Sequence, residues 1–139
     1  PDRLDGRGAT VAATVSELLA MIDESLEPLR AALAAELARL DERVARLGER
    51  GSGRRELIER HRREERRHRT DELRFGLLTL ARRFRDELVR ASRPGPEIEA
   101  LAAVEATARS LRRNPNVALA LQALFGRIDT LGSRCAQRA

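Results

Sequence analysis

The sequence predicts an all-α protein: an antiparallel bundle of about five helices from which a long charged helical hairpin projects. Apolar residues recur at steps of three and four, which is the period of amphipathic helices. β-Branched and aromatic residues are too sparse to indicate strands, and segments containing proline or glycine separate the periodic stretches. With 139 residues and no second apolar block behind a long linker, the chain is expected to form a single domain.

Two helices are predicted before the first glycine-rich segment. The first is expected to start near Ala9 or Thr10, and its apolar stripe comprises Val11, Val15, Leu18, Leu19, Ile22 and Leu26. Pro28 interrupts this pattern and either kinks the helix or opens the next one as a first-turn residue. The second stripe has coiled-coil spacing toward its end and comprises Leu29, Leu33, Leu37, Leu40, Val44 and Leu47. The segment GERGSG, from Gly48 to Gly53, is expected to be the turn that ends this helix.

The third helix is expected over residues 54–91 and begins with a highly charged segment, RRELIERHRREERRHRTDELRFG. This segment has eight arginines before residue 70, and no Ala, Val, Leu, Ile, Met or Phe between Ile58 and Leu73. A nucleic-acid site, a solvated helix and a contact surface for another protein all remain open. Six acidic residues are interspersed within 54–72, and this mixture favours a solvated or protein-facing helix. The candidate phosphate contacts are Arg62, Arg63, Arg66, Arg67 and Arg69.

A short turn between the second and third helices requires them to run antiparallel. This arrangement is predicted to place Leu40 opposite His61 and Leu33 opposite His68, so that leucines face polar side chains over residues 34–67. These residues are predicted to form an arm that projects on the order of 20 Å beyond the bundle. Burying a leucine stabilises by about 1.5 to 3 kcal/mol. The unmatched leucine stripe is therefore the candidate partner contact: Leu33, Leu37, Leu40, Val44 and Leu47.

Two further helices are predicted near the C-terminus. The prolines of SRPGPE are expected to end the third helix at about residue 91, and a fourth helix is expected over 97–113. Asn114 is predicted to cap the fifth helix, and Pro115 to be its first residue. Glycine at position 132 is expected to end that helix and to leave a frayed tail over 132–139.

Composition narrows the possible partners and the compartment. All 27 basic residues are arginine and the net charge is +5, which permits a nucleic-acid partner. There is no Tyr or Trp, and the three Phe residues lie at apolar-patterned positions, so stacking of bases on exposed rings is not expected. The single cysteine, Cys135, fits a reducing compartment. No apolar run approaches 18 residues, so no membrane span is predicted, and the chain is expected to be cytoplasmic.

No residue set in the sequence indicates catalysis, a cofactor or a metal. His61 and His68 are seven residues apart, which separates them by about 10 Å along a helix, and they are interpreted as polar residues of a helix seam. GERGSG lacks the Lys-Ser or Lys-Thr pair of a phosphate-binding loop, and no strand precedes it. Nearly all carboxylates stand three or four positions from an arginine, as expected on a solvated helix, and no nucleophile has a base to activate it.

Two runs of sequence resemble a known family. They are LGERGSGRRELIERHRREERRHRTDELRFGLLTLARRFRDELV, residues 47–89, and VEATARSLRRNPNVALALQALFGRI, residues 104–128. Both are similar to the C-terminal region of actinobacterial-type delta-prime subunits of the DNA polymerase III clamp loader, and RRHRTDELRFGL is the most specific part. The resemblance implies a helical collar domain, a fragment of a longer protein, which helps to hold the clamp loader pentamer together.

The resemblance also implies function and partners. The domain would be a non-catalytic oligomerisation module of the complex that loads the sliding clamp in DNA replication. Its partners would be the gamma/tau and delta subunits, with DNA contacted only indirectly through the full complex, and self-association of the isolated fragment is a further expectation. The chain has neither a Walker motif nor a zinc-binding cysteine cluster, so no ATPase activity is expected. An arginine-rich helical nucleic-acid-binding module remains the alternative.

Overall fold

A computed structural model describes residues 8–48, 53–92, 94–113 and 115–136 of the protein. Within these ranges the chain forms five α-helices and one short 3-10 helix, and contains no strand. The α-helices are α1 (Gly8–Glu24), α2 (Glu27–Leu47), α3 (Arg54–Arg90), α4 (Gly95–Ser110) and α5 (Val117–Ala136), and the 3-10 helix is Leu111–Arg113. The predicted all-α fold class is confirmed.

The chain divides into two compact units. The first, called the core unit below, combines the described residues up to Ala20 with those from Leu73 onwards. The second, called the hairpin unit, is Met21–Glu72 and contains α2 and the N-terminal half of α3. The predicted arm, residues 34–67, falls within the hairpin unit. Its projection beyond the bundle stays a prediction.

The core unit is built around apolar side chains of α1, α3, α4 and α5. Its most deeply buried residues are Val15, Val104 and Leu121, each 1% exposed. Helices α4 and α5 pack against each other. The apolar periodicity therefore predicted most of this core, including the burial of Phe84. The burial that the same periodicity indicates for Phe75 is wrong, because this side chain is 68% exposed.

The turn that separates α2 from α3 has the predicted boundaries. Pro28 lies in the first turn of α2. Of the two predicted alternatives, it therefore opens this helix and does not kink the preceding one. The helix ends at Leu47, where Gly48 adopts a left-handed conformation with φ 63° and donates its backbone N–H to the carbonyl of Val44. Helix α3 begins at Arg54, directly after the described part of the chain resumes. Residues 49–52 of the predicted turn lie outside the described residues.

The cap of α5 differs from the predicted one. Helix α5 begins at Val117, so Pro115 is not its first residue as predicted. The side-chain oxygen of Asn116 accepts a hydrogen bond of 3.2 Å from the backbone N–H of Leu119, which is the N-cap interaction. The cap is therefore the second asparagine of NPN. The predicted cap, Asn114, lies outside the described residues.

The ends of the last two helices also differ from prediction. Helix α4 starts at Gly95 and ends at Ser110, and the last predicted turn of this helix is the 3-10 helix. Helix α5 continues through Gly132 to Ala136, so the first part of the predicted frayed tail is helical. A glycine inside a helix costs about 1 kcal/mol relative to alanine, which is too little to end a helix whose neighbour Leu131 is buried. None of the described helices combines the length and apolar character needed to cross a membrane.

Candidate interaction site on the helical hairpin

Ion pairs join the two sides of the hairpin unit. Three of them connect α2 with α3: Arg54 with Asp41, Arg60 with Glu36, and Arg30 with Glu65. A fourth connects the end of α1 with α3, through Asp23 and Arg69. All eight side chains keep considerable solvent exposure, so each pair contributes little stability by itself, at most about 1 kcal/mol. Together the pairs define how the two sides of the hairpin are aligned.

The observed alignment differs from the predicted one. His61 was predicted opposite Leu40, but its Nε2 atom lies 3.5 Å from Oε1 of Glu36, about one helical turn away. His68 likewise misses its predicted leucine partner, and its Nε2 atom is 3.1 Å from the hydroxyl oxygen of Ser25. Long arginine and glutamate side chains reach across the seam at many alignments, and no apolar residue on this part of α3 fixes a single one.

His61 is the most deeply buried polar residue among those described in the hairpin unit. It is 3% exposed, and its Nδ1 atom lies 3.6 Å from Oε2 of Glu64. Neither ring nitrogen makes a hydrogen bond with any residue that the structure describes. Arg60 approaches both neighbouring carboxylates, at 2.5 Å from Glu36 and 3.9 Å from Glu64. The imidazole thus occupies the helix seam with one carboxylate near each nitrogen, and an arginine offsets their negative charge.

The described side chains do not form a metal centre. No group of three or more His, Cys, Asp or Glu residues among them could hold a metal ion. His61 and His68 use different partners, so they do not converge on one point. The side chain of Cys135 lies outside the described part of the structure.

A groove of about 510 Å³ lies between α2 and the beginning of α3. We call it the tip groove. Its lining includes four arginines, two acidic residues and two leucines, together with Gly53. The arginines are Arg39, Arg43, Arg60 and Arg63. This size is typical of pockets that hold a small ligand or a few side chains of a partner.

The arginines of the tip groove are mostly unpaired. Arg60 binds Glu36, but Arg39, Arg43 and Arg63 make no ion pair with any described residue. The second acidic side chain of the lining, Glu56, is likewise outside the ion pairs of the described residues. Four guanidinium groups and two carboxylates leave the groove with an excess of positive charge. It also borders the first turn of α3, where backbone N–H groups lack helical partners and favour negative charge.

The predicted partner-contact stripe on α2 is only partly covered by the protein. Four of its members are half-buried: Leu33, Leu37, Leu40 and Val44. Leu47 is 63% exposed. None of the 21 residues of α2 is fully buried. The stripe therefore keeps apolar surface in contact with water along the whole helix.

The predicted phosphate-contact arginines do not act as one set. Three of them pair with acidic neighbours: Arg62 with Glu59, Arg67 with Asp71, and Arg69 with Asp23. Arg63 and Arg66 form no ion pair with the described residues, but only Arg63 lies in the tip groove. The line of arginines that the sequence indicates is thus largely neutralised within the hairpin unit.

Sequence reasoning missed three of the four groove arginines. Arg39 and Arg43 stand on α2, four positions apart, and Arg60 precedes Arg63 by three positions on α3. These spacings place each pair on one helix face, so they were available as a signal. The two pairs were not recognised as one site, because whether they lie close together depends on how α2 and α3 align, and the sequence did not determine this alignment.

Comparison of the chain with protein-family models, with curated proteins and with solved structures finds no match.

Proposed function

We propose that the chain is a non-catalytic oligomerisation module that holds a larger assembly together through its helices. The observation that carries the proposal is that α2 has an apolar stripe but no fully buried residue. A helix with this pattern gains stability when a partner covers the exposed part of the stripe, at about 25 cal/mol for each Å² of apolar surface removed from water. A partner protein supplies such a cover.

A second apolar surface, on the core unit, supports the same proposal. Phe75 and Leu78 lie one turn apart on α3 and are 68% and 62% exposed. Two large apolar side chains at this spacing form one patch on the helix face. Aromatic residues such as phenylalanine are enriched in protein interfaces.

The assembly that we propose is the clamp loader of DNA replication. The support for this choice is the resemblance of residues 47–89 and 104–128 to the collar region of delta-prime subunits. In this proposal the gamma/tau and delta subunits are the partners, the chain meets DNA only through the full complex, and the compartment is the cytoplasm. The chain performs no chemistry in the assembly, and it needs no cofactor.

The proposal is tested by mixing the full chain with the collar regions of gamma/tau and delta and measuring mass by light scattering. A hetero-oligomer is expected. Leu47→Asp and Phe75→Asp should each weaken assembly, because a buried carboxylate at an interface is strongly unfavourable. Ala45→Asp is the matched control, since Ala45 is exposed and faces away from the stripe. Failure of the folded proteins to assemble would exclude the proposal.

The alternative, an arginine-rich nucleic-acid-binding module, is favoured by Arg63 and Arg66. Both are exposed, and neither forms an ion pair with the described residues. This alternative predicts binding to duplex or primed DNA that weakens steeply as salt rises. Arg63→Gln and Arg66→Gln in combination should abolish that binding. Absence of measurable binding at low salt would remove the alternative.

A further inference from the structure

We infer that the tip groove binds an acidic, leucine-containing segment of a partner protein, with carboxylates on the groove arginines and an apolar side chain against Leu40 and Leu57. This inference rests on the proposed function, because it names the chemistry of one partner of α2. It adds a defined site, formed by the alignment of α2 and α3.

The charge of the groove selects an anionic occupant. Arg39, Arg43 and Arg63 line one cavity, and none of them is neutralised by a described side chain. Guanidinium groups donate paired hydrogen bonds to carboxylates, and such charge-assisted bonds are about twice as strong as neutral ones. The lining also includes Glu56 and Leu57 in the first turn of α3, where the helix dipole favours negative charge. An occupant that carries two or three carboxylates therefore complements the groove.

The apolar part of the groove selects a protein over other anions. Leu40 of α2 and Leu57 of α3 are both half-buried, and both contribute to the lining. An aliphatic side chain placed between them would remove apolar surface of both leucines from water. A free phosphate offers nothing to this surface. An acidic peptide with a leucine satisfies both parts of the groove at once.

The lining argues against a nucleic-acid backbone at this site. Glu36 and Glu56 belong to the same lining, and their carboxylates would repel phosphates that follow the groove. A peptide can avoid them, because its carboxylates are separated by neutral positions. The described lining residues also include no aromatic side chain on which a base could stack.

The test measures binding of a fluorescent peptide to the full 139-residue chain by anisotropy. The probe is an acidic peptide with leucine at helical spacing and glutamate between the leucines. Saturable binding that weakens as salt rises is expected. The triple variant Arg39→Glu, Arg43→Glu, Arg63→Glu should lower the affinity by at least about tenfold.

A matched variant separates this effect from a change in net charge. The control is a triple variant of three exposed arginines in the core unit: Arg82→Glu, Arg112→Glu, Arg113→Glu. It changes the net charge by the same amount as the groove variant, and should change the affinity for the peptide less than about threefold. Replacing the probe leucines by alanine should weaken binding, because the apolar contact is lost. Circular dichroism establishes that both triple variants keep their helix content.

Three outcomes would overturn the inference. The first is that the peptide does not bind, and the second is that both triple variants lose the same amount of peptide affinity. The third is that an oligonucleotide binds more tightly than the peptide and that the groove variant abolishes this oligonucleotide binding. The co-assembly measurement separates this inference from the proposed function. Assembly without peptide binding removes only the groove inference, whereas peptide binding without assembly removes the clamp-loader proposal and leaves the groove site in place.

Discussion

The Nε2 atom of His61 lies 3.5 Å from Oε1 of Glu36 across the helical hairpin, and the imidazole is 3% exposed. Since neither ring nitrogen makes a hydrogen bond within the described part of the chain, the histidine fills the seam mainly as a packed ring. A polar group that is buried without hydrogen bonds contributes little net stability, and an apolar side chain of similar size can replace it.

His61→Leu should therefore leave the free energy of unfolding within about 1 kcal/mol of the wild type, or raise it. His61→Asp should lower the free energy of unfolding by at least about 2 kcal/mol, because the substitution places a carboxylate at a buried position between those of Glu36 and Glu64. Urea denaturation followed by circular dichroism measures both changes. Strong destabilisation by leucine would show that the carboxylates of Glu36 and Glu64 stabilise the imidazole electrostatically, beyond its packing in the seam.

Two glycines should respond in opposite directions to alanine. Gly48 has φ 63° at the end of α2, where alanine is strained, so Gly48→Ala should destabilise by about 1 kcal/mol. Gly76 lies inside α3, and a Cβ added there meets no atom within 4 Å. Gly76→Ala should therefore stabilise by about 0.5 to 1 kcal/mol. Thermal unfolding of the two variants compares the signs directly, and a matching sign would contradict the assigned conformations.

Leu121 and Leu119 provide a matched test of the core on a single helix. Leu121 is 1% exposed and Leu119 is 61% exposed. Leu121→Ala should lower the free energy of unfolding by about 2 to 5 kcal/mol, since it removes a buried side chain and leaves a cavity. Leu119→Ala should change it by less than about 0.5 kcal/mol. The assigned face of α5 is wrong if the two losses are equal.

Asn116 should contribute to stability through its cap. Asn116→Ala leaves the backbone N–H of Leu119 without its side-chain acceptor, and should cost about 0.5 to 2 kcal/mol. Asn116→Asp keeps an acceptor and places a negative charge at the positive end of α5, so it should retain the wild-type stability. Chemical denaturation of both variants distinguishes loss of the cap from a general effect of substitution.

The core unit should fold without the outer part of the hairpin. Replacing residues 34–67 by a short Gly-Ser turn leaves Val15, Val104 and Leu121 with the helices of the core unit. The shortened protein should be helical and should unfold cooperatively on heating. In the shortened protein, Leu121→Ala should still destabilise. Complete loss of structure on shortening would mean that the core depends on residues 34–67.

The sequence predicted those parts of the fold that local patterns determine. The apolar period located the helices, and Pro28 and Gly48 marked boundaries because each has a strong backbone preference. Gly132 misled the prediction, because the burial of Leu131 outweighs the small helix penalty of one glycine. The spacing indicated Asn114 as the cap of α5, whereas the side chain of Asn116 makes the N-cap hydrogen bond.

The candidate site was less predictable, because it depends on how two helices align. Between Ile58 and Leu73 α3 has no large apolar residue, so packing does not select one alignment with α2. The proximity of His61 to Glu36, where Leu40 was the predicted partner, reveals an alignment that differs by about one turn from the predicted one. The unpaired groove arginines follow from that alignment.

The absence of any fully buried residue in α2 has a consequence for sequence variation. Positions enclosed by a protein interior change slowly because most replacements disturb packing. Helix α2 lacks that constraint, so replacements along it should be tolerated unless another molecule touches the substituted side chain. Positions of α2 that prove intolerant in a saturation mutagenesis screen would therefore map the footprint of a binding partner, residue by residue.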